Sequence, residues 1–395
     1  MKAKSSQHPA PPGTGQTRSQ RRVPPVFENW LAFIGGKPCL STEEYPLFTD
    51  AHITGQASQG PYQFINTVPR PEPRSIRPAI ILRCARYLKF TVPNMTETDA
   101  ELYHGGSFPE EIAALASLAL GVRIRAGGVT RVFDESDPRG TPMEWDVRPF
   151  IGAFIRKENT LWILPNVAEG DHSLDELSIL ALLPNLSANN IIALVRAARL
   201  YQDALWLAES EPALAWLMLV SAVETAADQW RKDSGEPADR LRTSKPELYE
   251  YLLSLGPEVP VRVAAEIANS LGVTGKFVGF VLKFLPPAPR SRPPTWCQHP
   301  WGKHELKVTL GKIYDYRSRA LHEGKPFPAP MCEPPFRLSA DWPAPAERPI
   351  GEAASTGGGT WLAKDTPILL HTFEYLARHA LIAWWKQGTP EQEMA

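Results

Sequence analysis

In the segment IYDYRSRALHEGKPF, residues 313–327, an arginine and a histidine stand five positions apart, just before a glycine. At about 100° per residue, Leu306, Leu310, Ile313, Ala320 and Leu321 gather into one apolar helical stripe, and Arg317 falls near its centre while Arg319 points toward water. A guanidinium left unpaired in a core is costly, so Arg317 calls for a carboxylate or an anionic ligand. The natural partner is Glu224, the first acid after the uncharged run Ala213–Val223. His322 follows Arg317 by about 140° around the helix, so the two side chains cannot stack on one turn. Gly324 is the expected terminator, and a histidine in the last turn feels the negative end of the helix dipole. That favours imidazolium, which suits a general acid or a phosphate binder.

Two other sets of residues carry chemical options. Cys297, His299, His304 and Cys332 flank a proline-rich linker, but their spacing matches no compact zinc-ligand pair, so no metal is assigned. In VRIRAGGVTRVF the glycines Gly127 and Gly128 suggest a β-hairpin, with Arg123 and Arg125 on one face and Arg131 on the other. Such a pair of arginines could grip phosphates; a solvated hairpin face is the plainer reading.

These residues must be positioned by the rest of a 395-residue chain that is 43% hydrophobic and 22% charged, enough for two ordinary domains. Its formal charge of −1 excludes nucleic-acid binding by bulk attraction, so any such contact has to be local. Cys39, Cys84, Cys297 and Cys332 lie far apart without a C-x-x-C pair, which fits reduced thiols in the cytoplasm. No apolar run is long enough to cross a bilayer, so no membrane partner is expected. Residues 1–25 carry basic residues without the apolar stretch of a secretory signal and read as a disordered tail.

Residues 26–185 mix strand-like runs (AIILRCARYLKF, FIGAFIRKENTLWILP) with one clear helix, and predict an α+β domain. That helix is announced by Ser107, Pro109 and Glu110 as a capping box and ended by Gly121. From residue 186 to 395 the pattern becomes a mainly α-helical bundle. Ile191, Leu194, Val195, Ala198, Tyr201, Leu205 and Ala208 share one helix face. The helix around Ala213–Val223 should be the central and most buried one. Shorter helices follow, then PPAPRSRPPTWCQHP, the helix that carries Arg317, and a last helix in DTPILLHTFEYLARHALIAWW. The Pro/Gly-rich stretch 325–360 is long for a structureless loop and reads as a lid, a partner-binding arm or a disordered segment.

IYDYRSRALHEGKPF, taken with RAARLYQDALWLAESEPALAWLMLVSAVETAADQW upstream, resembles the Apea-like branch of the HEPN superfamily, over roughly residues 187–386. The likeness rests on pairing an A-V-E helix with Y-R-S-R-A-L-H-E-G. It implies a helical bundle that dimerises with itself and, in many members, a metal-independent endoribonuclease of bacterial defence or toxin systems, with an antitoxin or another defence component as a partner. It further implies Arg317 and His322 as the catalytic pair supported by Glu224, with Tyr316, Ser318 and Arg319 contacting RNA, and no cofactor. Many active members carry Asn, Asp or His directly after the arginine; this chain has Ser318, whose hydroxyl can still hydrogen-bond a phosphate. RNA supplies its own nucleophile in the 2′-hydroxyl, so its cleavage needs only proton transfer and charge stabilisation. Two further readings stand beside this one: a catalytically silent RNA- or nucleotide-binding module, and a protein-interaction scaffold.

Overall fold

The computed structural model describes residues 23–67, 76–89, 96, 98, 106–134, 136–143, 148–149, 162–168, 171–231, 236–267, 272–337, 344–356 and 358–388. Almost all of the expected tail, and most of FIGAFIRKENTLWILP, lie outside these residues. The N-terminal part opens with helix α1 (Pro25–Ile34), which starts on a proline, a residue suited to a first turn. Strands β1 (Ser41–Thr49), β2 (His52–Thr54), β3 (Gln56–Gln59), β4 (Tyr62–Asn66) and β5 (Arg77–Arg86) follow. Next come helix α2 (Phe108–Leu120) and strands β6 (Arg125–Ala126), β7 (Arg131–Asp134) and β8 (Asp137–Pro142). The short helix α3 (Pro165–Ala168), strand β9 (Asp171–Ser173) and a 3-10 stretch (Leu174–Asn185) lead into the helical half.

The main sheet runs β3-β4-β5-β1-β7-β8, with β6 also on β1 and every pairing antiparallel. Alternation along β5 buries Ile80, Leu82 and Cys84 completely. Across the β1–β5 ladder, Glu44 stands opposite Arg83 and accepts from its Nε at 2.9 Å and its Nη2 at 2.6 Å.

The hairpin expected at Gly127-Gly128 does not form. β6 and β7 both pair with β1, Gly127 N donates to Pro46 O and Thr130 N to Glu44 O, so the segment runs on along one strand edge and turns only between β7 and β8. Arg123 is therefore not solvated, and both Arg123 and Arg125 are already paired within the chain. Arg123 is fully buried and forms a forked pair with Asp50 (Nε–Oδ2 3.0 Å, Nη2–Oδ2 2.5 Å), with Glu209 at 3.6 Å and the Trp162 ring at 5.6 Å. Arg125 reaches Gln202 at 3.1 Å and Asp203 at 2.6 Å.

Those acceptors belong to the second half. Helix α4 (Ala188–Leu207) is capped by Ser187, whose side chain accepts from Asn190 N, and α5 (Pro212–Trp230) packs along it. Helices α6 (Pro237–Ser244), α7 (Pro246–Ser254) and α8 (Val259–Glu266) form a small cluster of their own around Leu241, Leu252 and Ala264. Then come α9 (Val273–Lys283), α10 (Lys303–Glu323), a hairpin of β10 (Ala353–Thr356) and β11 (Gly359–Leu362), and α11 (Leu370–Gln387). An N-terminal sheet region followed by a helical part is thus present, but the buried apolar residues of both form one continuous cluster. Helix α2 links them, buried along one run from Glu111 to Leu120 between α1 and α4.

Its ends are those its sequence predicts: Ser107 N donates to Glu110 Oε2 at 2.7 Å, and Gly121 turns left-handed at φ 69°. Helix α5 is central, packed on α4, α9, α10 and α11, yet Leu214 is exposed, so α2 and not α5 is the more completely buried helix. Trp216 of α5 is stacked between Phe327 (5.1 Å) and Phe373 (5.0 Å), and its Nε1 donates to Met331 O. Phe327 and Met331 belong to the proline-rich stretch 325–360, whose described residues are in good part packed into the core and are not a free arm.

Two stability predictions follow from buried charge. Removing the Arg123 guanidinium as Arg123→Met strands Asp50, and urea unfolding should show a loss of about 3–5 kcal/mol. Glu111 is fully buried, its Oε2 accepts from Val26 N (3.0 Å), and burial raises its carboxyl to about 8. Between the ordinary value of 4.5 and about 8 the folded chain holds a proton that the unfolded chain has released. Stability should therefore fall as pH rises through that window and level off above it. Melting temperatures measured from pH 6 to 9 should show the slope in the native chain and lose it in Glu111→Gln.

Candidate functional site

Helix α10 carries the site. It begins at Gly302 and ends at Gly324, whose φ of 66° and N–H bond to Arg319 O close the last turn as the sequence predicts. Leu306, Leu310 and Ile313 are fully buried on one face, toward α5 and α9. Arg317 continues that face four residues after Ile313. Its Nη2 donates to Glu224 Oε2 at 2.6 Å, the pairing expected from the two interruptions of apolar helix faces. Tyr314, one turn earlier, donates its hydroxyl to Glu224 Oε1 at 2.8 Å and lays its ring 5.6 Å from the guanidinium carbon.

Glu224 thus has one oxygen held by a phenol and the other by a guanidinium. The side chains of Arg317 and Glu224 are 20% and 11% exposed, so the pair lies at the lip of the core with one edge open. Burial raises the Glu224 carboxyl above its ordinary range, and the bonds from Tyr314 and Arg317 oppose that rise without cancelling it. The Tyr314 phenol is raised in turn, by burial and by the carboxylate it faces. Arg317 Nε is buried and makes no hydrogen bond among the described residues, so part of the donor fork is unused.

No family model, curated protein or solved structure matches this chain. What the site can do is therefore carried by its own geometry. His322 is exposed in the last turn of α10, on the outer side of the helix from Arg317. Within one chain the inward guanidinium and the outward imidazole point different ways. Leu321 is 52% exposed and Ala320 half-buried, so the apolar stripe is correct in angle but its end overhangs the bundle. Ser318 is half-buried beside Arg317, and Arg319 is exposed with its guanidinium 5.9 Å from the Tyr316 ring. Tyr316, expected at the substrate, instead donates its hydroxyl to Asp365 O at 2.6 Å and fastens the turn ahead of α11. Lys312 holds the same turn through Asp365 Oδ1 at 3.3 Å.

The zinc alternative finds no geometry. Cys297 donates to Pro294 O, His299 Nε2 is 3.1 Å from Thr309 Oγ1, and His304 is exposed; the described residues hold no group of three metal-binding side chains. Tyr314 was missed in the sequence, although its position three residues before Arg317 on the same face was a usable signal.

The clamp can be tested thermodynamically. Glu224→Ala leaves a mostly buried guanidinium without its carboxylate and should cost about 1–3 kcal/mol in urea unfolding. Replacing both partners with methionine should restore most of that loss, giving a coupling energy of about 1 kcal/mol or more in a double-mutant cycle.

Proposed function

We propose that this chain is a metal-independent endoribonuclease of the HEPN type, a cytoplasmic protein that works as a homodimer in a bacterial defence or toxin role. The observation that supports it best is Arg317 drawn inward and clamped by Glu224 and Tyr314, close to the helix end that displays His322. A core arginine held in this way keeps its guanidinium in a fixed orientation at the lip of the core, which suits it to stabilise charge on the non-bridging oxygens of a phosphodiester.

The chemistry asks little more. The 2′-hydroxyl of RNA attacks the adjacent phosphorus, the 5′-oxygen of the next nucleotide leaves, and a 2′,3′-cyclic phosphate remains. His322 moves a proton at the attacking or the leaving oxygen, and Arg317 meets the developing charge. Two copies placed with their α10 ends together would bring one copy's His322 to the other's Arg317, and would cover Leu321. Ser318 and Arg319, at the same end, are the side chains available to a phosphate backbone.

A second reading is favoured by the bond Arg317 already makes. With one terminal nitrogen committed to Glu224 and its Nε buried, the site could hold RNA or a nucleotide without cleaving it.

Purified protein incubated with mixed RNAs in chelator should release fragments ending in cyclic phosphate. His322→Ala should lower the rate by about 10²-fold or more while RNA binding in a filter assay is retained. Binding without cleavage by the native chain would select the silent module, and neither binding nor cleavage would select a scaffold.

A further inference from the structure

Helices α6, α7 and α8 stand in the chain between α5 and α9 and pack on one another. Their own core is Leu241, Leu252 and Ala264, a cluster distinct from the main one. A unit below about 40 residues seldom buries enough apolar surface to hold itself together without further support, so the apolar side chains it leaves outside matter.

Those side chains form a pattern on α7. Leu248, Tyr251 and Leu255, 37%, 62% and 59% exposed, stand at i, i+3 and i+7, which places them within about 60° of arc on one face. Leu255 caps the helix but keeps a right-handed helical backbone (φ −88°, ψ −12°), so it extends the stripe. Leu252, on the flank, turns into the core of the unit. Glu247 and Glu250 lie about 80° and 140° from the centre of the stripe and leave it uncharged. Single exposed apolar residues are ordinary, whereas three along two turns of one helix make a seam.

The seam is complementary to itself. A two-fold axis at a right angle to α7, passing between positions 251 and 252, runs two copies of the helix antiparallel and sets Leu248 of each opposite Leu255 of the other. Tyr251 then lies at the centre, where a buried aromatic side chain contributes most. Antiparallel pairing also opposes the two helix dipoles. The ends match in charge. Lys245 directly precedes α7 and Glu258 lies just beyond its end; both are exposed, and neither makes a capping hydrogen bond or an ion pair among the described residues. The two-fold brings each lysine to the end of the partner helix that carries the glutamate, which gives two opposite-charge pairs at the rim.

We infer that a second copy of this chain docks on the outer face of α7, in an antiparallel helix pair that covers Leu248, Tyr251 and Leu255 of both copies. The contact is separate from the end of α10 and does not depend on RNA cleavage there. One short helix face is small beside the roughly 800 Å² per partner of a standard interface, so a dissociation constant on the order of micromolar is expected.

Sedimentation equilibrium of the full chain over a concentration series tests it, with Leu321→Glu as the background that breaks any contact at the end of α10. In that background the chain should still form dimers, and Tyr251→Glu should raise their Kd by about tenfold or more. Lys245→Glu and Glu258→Lys should each weaken association by about fivefold, because each sets like charges together twice. An equimolar mixture of those two variants should recover the original affinity, since the mixed dimer regains both opposite-charge pairs. All these positions are exposed, so melting temperatures at low concentration should stay near the native value and separate lost docking from lost folding. The inference is overturned if the Leu321→Glu chain remains monomeric at about 100 µM. It is equally overturned if Tyr251→Glu leaves association unchanged or if the mixed charge variants associate no better than each alone. A monomeric chain that takes up an unrelated amphipathic helical peptide through Tyr251 would assign the face to a foreign partner and overturn it as well.

Discussion

A guanidinium can enter an apolar interior only when its charge is met there, and this requirement shapes the described residues at several places. Arg123 meets Asp50 and Glu209, Arg292 meets Glu347, Arg317 meets Glu224, and Arg378 donates to the carbonyls of Leu118 and Ala119 at the end of α2. Every one of these arginines joins segments remote in sequence. Arg378 ties the last helix to the N-terminal part, and Arg123 ties the strand edge to the end of α4. Apolar burial supplies the driving force for the single core, but it is tolerant of small slips; a forked donor that must find two oxygens is not. Arg123 and Arg378 thereby fix the register in which the halves meet.

Burial acts alike on acids of the Arg123 and Arg317 sites, for the Glu209 carboxyl is raised despite Arg123 beside it. Burial raises the Glu224 carboxyl even though Tyr314 and Arg317 both stabilise its ionised form. Desolvation therefore outweighs the partners, and the ionised pair weakens folding relative to an exposed carboxylate instead of strengthening it. A purely structural position would be served as well by two apolar side chains of similar volume.

What was readable in the sequence follows from the range of the forces involved. Helix ends were legible because capping is local: Ser107 with Glu110, Gly121 and Gly324 each act within a few residues. The Arg317–Glu224 pair was legible because both residues break otherwise apolar faces, a contradiction that has few solutions. Arg123 was misread for the opposite reason. Its partners Asp50 and Glu209 lie 73 and 86 positions away, and only the pairing of β6 and β7 with one strand brings that edge inward. Leu321 was misread because helical angle says which way a side chain points and not whether the bundle extends far enough to meet it. Tyr316 was assigned to substrate by resemblance, while its bond to Asp365 O depends on how the loop before α11 closes, which no local pattern encodes.

The overhang of α10 gives the geometry its direction. The last turn of α10 exposes Leu321 and His322 while Ala320 still packs against the core. Leu321 would gain apolar burial if another surface received it. A second copy brought in by a two-fold axis would cover both overhanging leucines at once, because an isologous contact buries the same patch twice. An axis that crosses α10 at a right angle also reverses the direction of the partner helix. It can therefore set an imidazole from one chain against the guanidinium of the other, an arrangement that the 140° between positions 317 and 322 forbids within one helix.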